Sequence, residues 1–321
     1  MSNSICIIGF GRESTITHVT SYLERNAIAF VLLDFEQINI HSTLSFTYTA
    51  DKLTVVLNGT IYEMSTFRSF YCRFFYRPTT DNGLNELFSK MVSALMTWLK
   101  ATTALVVSRP GAGASNFSKL WHIMDLAKTG FTIVPAFITG DKNTAIARLQ
   151  DPVSWISKGC SSYRTRVVTY SPQLFANLDL LAFCPSQFQQ EVTGYNVRVH
   201  MVGIKAIALK ITTSNIDYRY DAHENSYEAV IPPLSIVEKC VTFCQQENLP
   251  FAGFDFIVDK EGQWFILEVN PMPGFEFYDR RLNDRIVAAL ASLLYDAVAL
   301  SVVKYPVNRA FIEPGRRTKF H

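Results

Sequence analysis

Apolar runs and amphipathic stretches alternate from the first residues onward. Ser4-Ile-Cys-Ile-Ile-Gly9 is a continuous apolar run ended by glycine and predicts a buried strand. Ser14–Arg25 repeats apolar positions at helical spacing, and Ile28–Leu33 predicts a second strand. Further strands are expected over Leu53–Leu57, Ser69–Tyr76 and Ala104–Val107, with a long helix rich in Leu, Met, Ala and Lys over Leu84–Thr102. Strand and helix in this alternation predict an open α/β sheet, so residues 1–106 are expected to form an N-terminal α/β domain.

The pattern changes after Arg109-Pro110. Asn116 is expected to cap a helix over Lys119–Lys128, which Gly130 stops ahead of Pro135. Residues 195–212 read as two β segments around Gly203, and Ile236–Asn248 as a helix capped by Ser235. Phe251–Asp259 and Gln263–Val269 read as a hairpin turned by Lys260-Glu261-Gly262. The class is therefore α/β (α+β), with units predicted over 107–185 and 186–304, a polar loop over Thr212–Asn225 and a solvated tail over 305–321. The apolar run Ile286–Val303 is interrupted by Asp296, and Ile286, Leu290, Leu293, Leu294 and Val298 fit helical spacing, which favours a buried terminal helix over a membrane span.

Charge narrows the partners. Thirty basic against 28 acidic residues leave +2, too little for a nucleic-acid surface or a polybasic membrane anchor. Six cysteines are scattered without a C-x-x-C pair, and no basic segment precedes the first apolar run, so reduced thiols in a cytoplasmic protein are expected. His122 and His200 lack a ligand-spaced partner and read as ordinary helix and strand histidines; Cys160 has no nearby histidine to activate it. Gly9-Phe-Gly and Gly111-Ala-Gly113 read as tight turns, because neither completes Gly-x-Gly-x-x-Gly.

The densest chemistry lies in Gly253-Phe-Asp-Phe-Ile-Val-Asp259 and Phe265-Ile-Leu-Glu-Val-Asn-Pro-Met-Pro-Gly274. A tight hairpin brings Asp255, Glu268 and Asn270 together, and period-two alternation puts Glu268 and Asn270 on one face. Hard oxygen donors on rigid strands suit Mg²⁺, with Mn²⁺ as the alternative ion. Glu268, flanked by Phe265, Ile266, Leu267 and Val269, is expected to be buried and therefore to need a charge partner or a metal. Arg198 alternates with Val197 and Val199, and an anionic phosphate or a structural salt bridge would each suit it. Lys158 precedes the small-residue loop Gly159-Cys-Ser-Ser162, suited to bringing N–H groups over phosphates.

Together these segments resemble the ATP-grasp superfamily, and within it the branch of RimK-like glutamate ligases and microviridin-type (graspetide) peptide ligases. Besides the hairpin, Cys184-Pro-Ser-Gln-Phe-Gln-Gln-Glu-Val-Thr-Gly-Tyr-Asn-Val-Arg-Val-His-Met-Val-Gly203 is similar to that superfamily's adenine hinge and following strand. The resemblance spans roughly residues 105–300, in ordered succession. It implies an ATP-grasp fold behind an N-terminal pre-ATP-grasp domain, and a ligase using ATP and Mg²⁺ to form an acyl phosphate. It implies nucleotide contacts from Lys119, Lys158, Asn196 and the backbone of Gln190, Glu191 and Val192, with Phe188 or Val192 against the base. Asp255, Glu268 and Asn270 would hold the metal, and Arg198, Arg164, Lys210 and Arg219 would serve the phosphates and the acyl group.

Two positions depart from the resembled pattern: Asn196 replaces an acidic residue of many relatives, and Asn270-Pro-Met-Pro-Gly274 differs from the microviridin-type Asn-Pro-Asn-Gly. The acceptor is a peptide or small-molecule carboxylate. The N-terminal domain, including Tyr71-Cys-Arg-Phe-Phe-Tyr-Arg77, resembles that of peptide-modifying ligases, and Arg73, Phe75 and Arg77 are expected on one strand face toward an acidic peptide. The alternatives are a small-molecule amino-acid ligase, an ATP-grasp kinase and a non-catalytic nucleotide-binding regulator. Neither nucleic acid nor membrane is an expected partner, and a homodimer is left open.

Overall fold

A computed structural model describes residues 5–296 except 40, 50–51, 76–78, 151–153, 161–167, 170–177 and 214–224. The first sheet is parallel, in the order β2-β1-β6-β7, from β1 (Ile5–Gly9), β2 (Phe30–Asp34), β6 (Ser69–Cys72) and β7 (Leu105–Val107). Every residue of β1 is buried, as its unbroken apolar run requires of a central parallel strand. Helix α1 (Ser14–Arg25) is capped by Glu13, which accepts the Ile16 N–H at 2.9 Å, and α2 (Asn82–Ala101) by Asp81. A small antiparallel sheet of β3 (Leu44–Tyr48), β4 (Leu53–Leu57) and β5 (Thr60–Glu63) is inserted before β6. β6 stops at Cys72, short of the predicted Tyr76.

The next helix, α3 (Lys119–Lys128), is capped by Ser118 and not by Asn116, which is drawn into a 3₁₀ turn over Ala114–Phe117. Gly130 takes φ +84° just past its end, the conformation that makes glycine a helix stop. After β8 (Thr132–Ile133) the chain builds a four-stranded antiparallel sheet in the order β11-β10-β12-β9. Its members are β9 (Ala136–Thr139), β10 (Trp155–Gly159), β11 (Val168–Thr169) and β12 (Ser186–Gln190), with α4 (Lys142–Leu149) between β9 and β10. One face of that sheet carries its own core of Trp155, Phe188, Leu149, Leu178 and Leu181.

The largest sheet runs β15-β14-β13-β16-β17-β8. It contains β13 (Gly194–Val202), β14 (Lys205–Thr212), β15 (Ser226–Val230), β16 (Phe251–Asp259) and β17 (Trp264–Asn270). Helix α5 (Leu234–Gln246) and α3 share a core with one face through Val197, Val199, Phe254 and Phe256. Pro233, with φ −53°, occupies the cap position of α5 and Ser235 lies inside the helix, so the expected serine cap is absent. After the short α6 (Glu276–Asp279), α7 (Arg285–Tyr295) is sandwiched: Ile286, Leu290 and Leu294 share one core with Ile5, Ile7 and Tyr71 of the first sheet and with Ile207 and Leu209 of β14.

This packing moves the predicted boundaries. β8 pairs in parallel with β17, so the start of the expected 107–185 unit packs with the largest sheet, while β12, expected beyond residue 185, completes the four-stranded one. Residues 305–321 and most of the polar loop over Thr212–Asn225 lie outside the described residues. No described helix is long and apolar enough to cross a membrane.

Candidate active site

The hairpin of β16 and β17 turns where expected, with the Asp259 carboxylate accepting the N–H groups of Glu261 and Gln263 and Gly262 at φ +81°. Pairing with β13 then sets two rows across three strands. Arg198 stands opposite Asp255, which stands opposite Glu268; His200 stands opposite Gly253, which stands opposite Asn270. Directly opposite residues share a face, so one side of the sheet collects Arg198, Asp255, Glu268, His200 and Asn270, away from the α5 core. Strict alternation would also bring Ile266 to this side. A bulge after Asp255 pairs Phe256 with Ile266, and the register shift lets Ile266 enter the core while Glu268 stays opposite Asp255. Glu268 is exposed, not buried as its apolar neighbours suggested, because it looks out from the open face.

Arg198 lies deep in this face at 5% exposure. Its Nη1 donates to Asp255 Oδ2 at 2.5 Å, its Nε donates to His200 Nε2 at 3.4 Å, and the guanidinium sits 5.5 Å from the Tyr278 ring centre. Gly253 passes directly beneath: a Cβ there would fall 2.2 Å from Nη2 and 2.6 Å from Cζ. Gly253 is absent from the positive-φ residues, so space and not backbone geometry requires the glycine. Asn270 Oδ1 accepts the Met272 N–H at 2.9 Å, turning the chain out of β17. Burial, aided by the Arg198 charge, holds the His200 imidazole well below its ordinary pKa and therefore neutral.

Lys158 belongs to the four-stranded sheet, opposite Gln187, and its Nζ donates to Gln189 Oε1 at 2.6 Å. Gln187 is 1% exposed and its Oε1 has no hydrogen-bond partner among the described residues, an orphaned acceptor beside the lysine. The other face is closed by Phe188 stacked on Phe137 at 5.1 Å, so Phe188, one of the two residues expected against a base, packs in the core. The Gln190 and Glu191 N–H groups, expected to face a base, donate instead to Pro135 O at 2.9 Å and Ser154 O at 2.8 Å. Residues 191–193 link β12 directly to β13, joining the lysine-bearing sheet to the carboxylate-bearing one. Lys119 opens α3, which is docked on β17 by His122: its Nε2 accepts the Val269 N–H at 2.9 Å while Nδ1 meets Ser115 Oγ at 3.0 Å.

Other expected residues stand elsewhere. Lys210 pairs with Val197, so alternation carries it to the face opposite Arg198, where it lies 3.7 Å from Glu228 and over the Tyr195 ring. Asn196 shares the Arg198 face two residues earlier, opposite Ile257. Arg73 does not present itself to a peptide: it is 3% exposed, bound to both Glu13 oxygens at 3.1 Å and to the Pro273 carbonyl at 2.9 Å. It thereby ties the first sheet to the segment that follows Asn270. A second tie is Asp279, fully buried, which accepts from His18 at 2.9 Å and caps α7 through the Ile286 and Val287 N–H groups. Asp284 completes a potential ligand trio with them, yet these backbone donors already engage both Asp279 oxygens. Arg164, Arg219 and Arg77 lie outside the described residues. Gly253, His200, Tyr278, Gln187 and Gln189 were missed by sequence; only Gly253, a glycine inside an apolar strand, carried a signal of close approach.

Asp255, Glu268 and Asn270 fit a hard divalent cation, since all three offer oxygen and the exposed Glu268 leaves room for phosphate and water ligands. With the hinge-linked sheets, this architecture is the ATP-grasp fold. Among solved structures, the chain superposes on the ATP-grasp ligase PsnB complexed with a minimal precursor, at TM-score 0.79 and 22% identity over 93% of this chain and 100% of that one. The macrocyclase MdnC of Microcystis aeruginosa MRC, bound with precursor peptide MdnA, matches at TM-score 0.77 and 15% identity, covering 91% and 99% of the two chains. D-alanyl-alanine synthetase A of Vibrio cholerae matches at TM-score 0.61 and 14% identity, over 93% and 99%. No family model matches the sequence, and no curated protein matches it.

Proposed function

We propose that this chain is an ATP-dependent ligase that activates a side-chain carboxylate of a peptide and joins it to an amine or hydroxyl. The product is an amide or an ester, with release of ADP and phosphate. The row Arg198–Asp255–Glu268, set by pairing of three strands, carries the reading: it places one buried cation at the end of a pair of neighbouring carboxylates on one face of the sheet. The peptide as acceptor is supported by the solved neighbours. An ATP-grasp ligase complexed with a minimal precursor and a macrocyclase bound with a precursor peptide superpose at 0.79 and 0.77, against 0.61 for a synthetase named for a small dipeptide.

In this reading Lys158 and Lys119 neutralise the ATP phosphates, and Gln187 Oε1 offers an acceptor on the nucleotide side. Mg²⁺ held by Asp255, Glu268 and Asn270 would supply charge neutralisation on those phosphates. The acceptor carboxylate oxygen attacks the γ-phosphorus, the bond from the γ-phosphorus to the β–γ bridging oxygen breaks, and ADP departs with its electron pair. Arg198 lies where negative charge builds on the transferring group, already oriented by Asp255 and by its bed on Gly253. The nucleophile then attacks the acyl carbonyl and phosphate leaves. Mass spectrometry of acidic peptides incubated with the protein, ATP and Mg²⁺ tests this. Loss of one water per bond supports ligation; gain of a phosphate would instead establish a kinase.

A further inference from the structure

We propose that His200 is a positioning residue for Arg198: a neutral imidazole that accepts from the Nε edge of the guanidinium while Asp255 holds Nη1. The inference rests on the ligase reading for what Arg198 does, but the geometry that carries it is independent of that reading. His200 follows Arg198 by two residues on β13, so both side chains rise from the same face. The guanidinium can only donate. His200 Nε2 must therefore present its lone pair, which puts the imidazole proton on Nδ1.

That Nδ1 is buried without a partner among the described residues, and the residue is 0% exposed. Packing alone would not call for histidine here. The ring is enclosed by Phe251 at 6.2 Å, Phe275 at 6.4 Å and Tyr278 at 5.3 Å, an aromatic cage that an aliphatic side chain would fill without stranding a polar atom. The cage fixes the ring plane, and the ring holds the guanidinium edge. Asp255 cannot be the sole support, because in the ligase reading it also serves the metal. A lysine-like point cation would not be oriented by such an edge contact, whereas the planar guanidinium is.

The test compares His200→Leu and His200→Gln with the wild-type chain. Gln offers Oε1 near the position of Nε2; Leu offers only shape. Product formation, ADP release, ATP affinity and melting temperature are measured for each, together with solvent exchange of the Arg198 Nε–H resonance, assigned by its disappearance in Arg198→Lys. The expected result is that Leu lowers kcat by about 10-fold or more, the scale of a small misplacement, without a matching loss of Tm or ATP affinity. Gln restores most of the rate, and Nε–H exchange quickens in Leu but not in Gln. Unchanged kcat and exchange in Leu, or a loss that follows the folded fraction and is equal in Gln, overturns the proposal. If the wild-type chain ligates nothing, the ligase reading fails, and the exchange comparison still decides whether His200 holds Arg198.

Discussion

Gly253→Ala isolates the contact between Arg198 and the sheet beneath it. In an ordinary strand this change stabilises by roughly 0.5–1 kcal/mol, because alanine loses less backbone freedom on folding. Here the new methyl would stand 2.2 Å from Nη2 and 2.6 Å from Cζ, well inside the 3.0 Å that real Cβ contacts essentially never cross. The guanidinium must therefore rise by about 1 Å, out of line with Asp255 and His200. Strain relieved by moving a long side chain costs about 1 kcal/mol, the low end for overpacking, so net stability should change little. The rate should not be spared: a displacement of about 1 Å in a charge-stabilising group lowers turnover by roughly 10². Steady-state ADP release and peptide product, measured across ATP concentration alongside Tm, would show a fall in kcat with the fold intact. Wild-type kcat in the alanine variant would refute the reasoning, since it would mean that the position of Arg198 is immaterial to the reaction.

Glu268→Gln keeps the shape of an exposed side chain and removes the charge that would hold the proposed metal, so turnover should be lost without a change in Tm; near-normal kcat at saturating Mg²⁺ would remove Glu268 from the proposed metal set. Lys158→Ala should weaken ATP binding measured by calorimetry while leaving peptide affinity nearly unchanged, as Lys158 lies on the Gln187–Gln189 face. Arg73→Leu leaves Glu13 facing an apolar neighbour and should cost about 3 kcal/mol in urea unfolding, with part of it recovered by adding Glu13→Gln; equal stability of the single and double variants would contradict a buried ion pair. Burial holds the His122 pKa down to about 4, so the native state resists a proton that the unfolded chain takes up near pH 6.5. Stability should be full above that pH and be lost as pH falls from about 6.5 toward 4, by up to about 3 kcal/mol, and His122→Gln should flatten this slope.

Local structure was legible in the sequence because short-range rules govern it. The α1 boundaries at Ser14 and Arg25, the glycine stop at Gly130 and the turn of the Asp259–Gly262 hairpin all follow from periodicity and turn chemistry within a few residues. The placing of Asp255, Glu268 and Asn270 on two adjacent strands was legible the same way, from the tight turn that joins them. Helix caps failed where neighbours compete: Ser118 took the role expected of Asn116, and Pro233 displaced Ser235. Facing and burial needed the tertiary structure. The bulge after Asp255 separates Ile266 from Glu268, which strict alternation would keep together, and no propensity encodes a register shift. Lys210 lies opposite the expected side because its partner strand, β13, fixes which way it points. Arg73 was read as a peptide contact because its two anchors, Glu13 and Pro273, are 60 and 200 residues away along the chain. His200 and Gly253 became meaningful only when β13 and β16 were paired, since a contact between residues 53 positions apart is set by strand register and not by the sequence around either one.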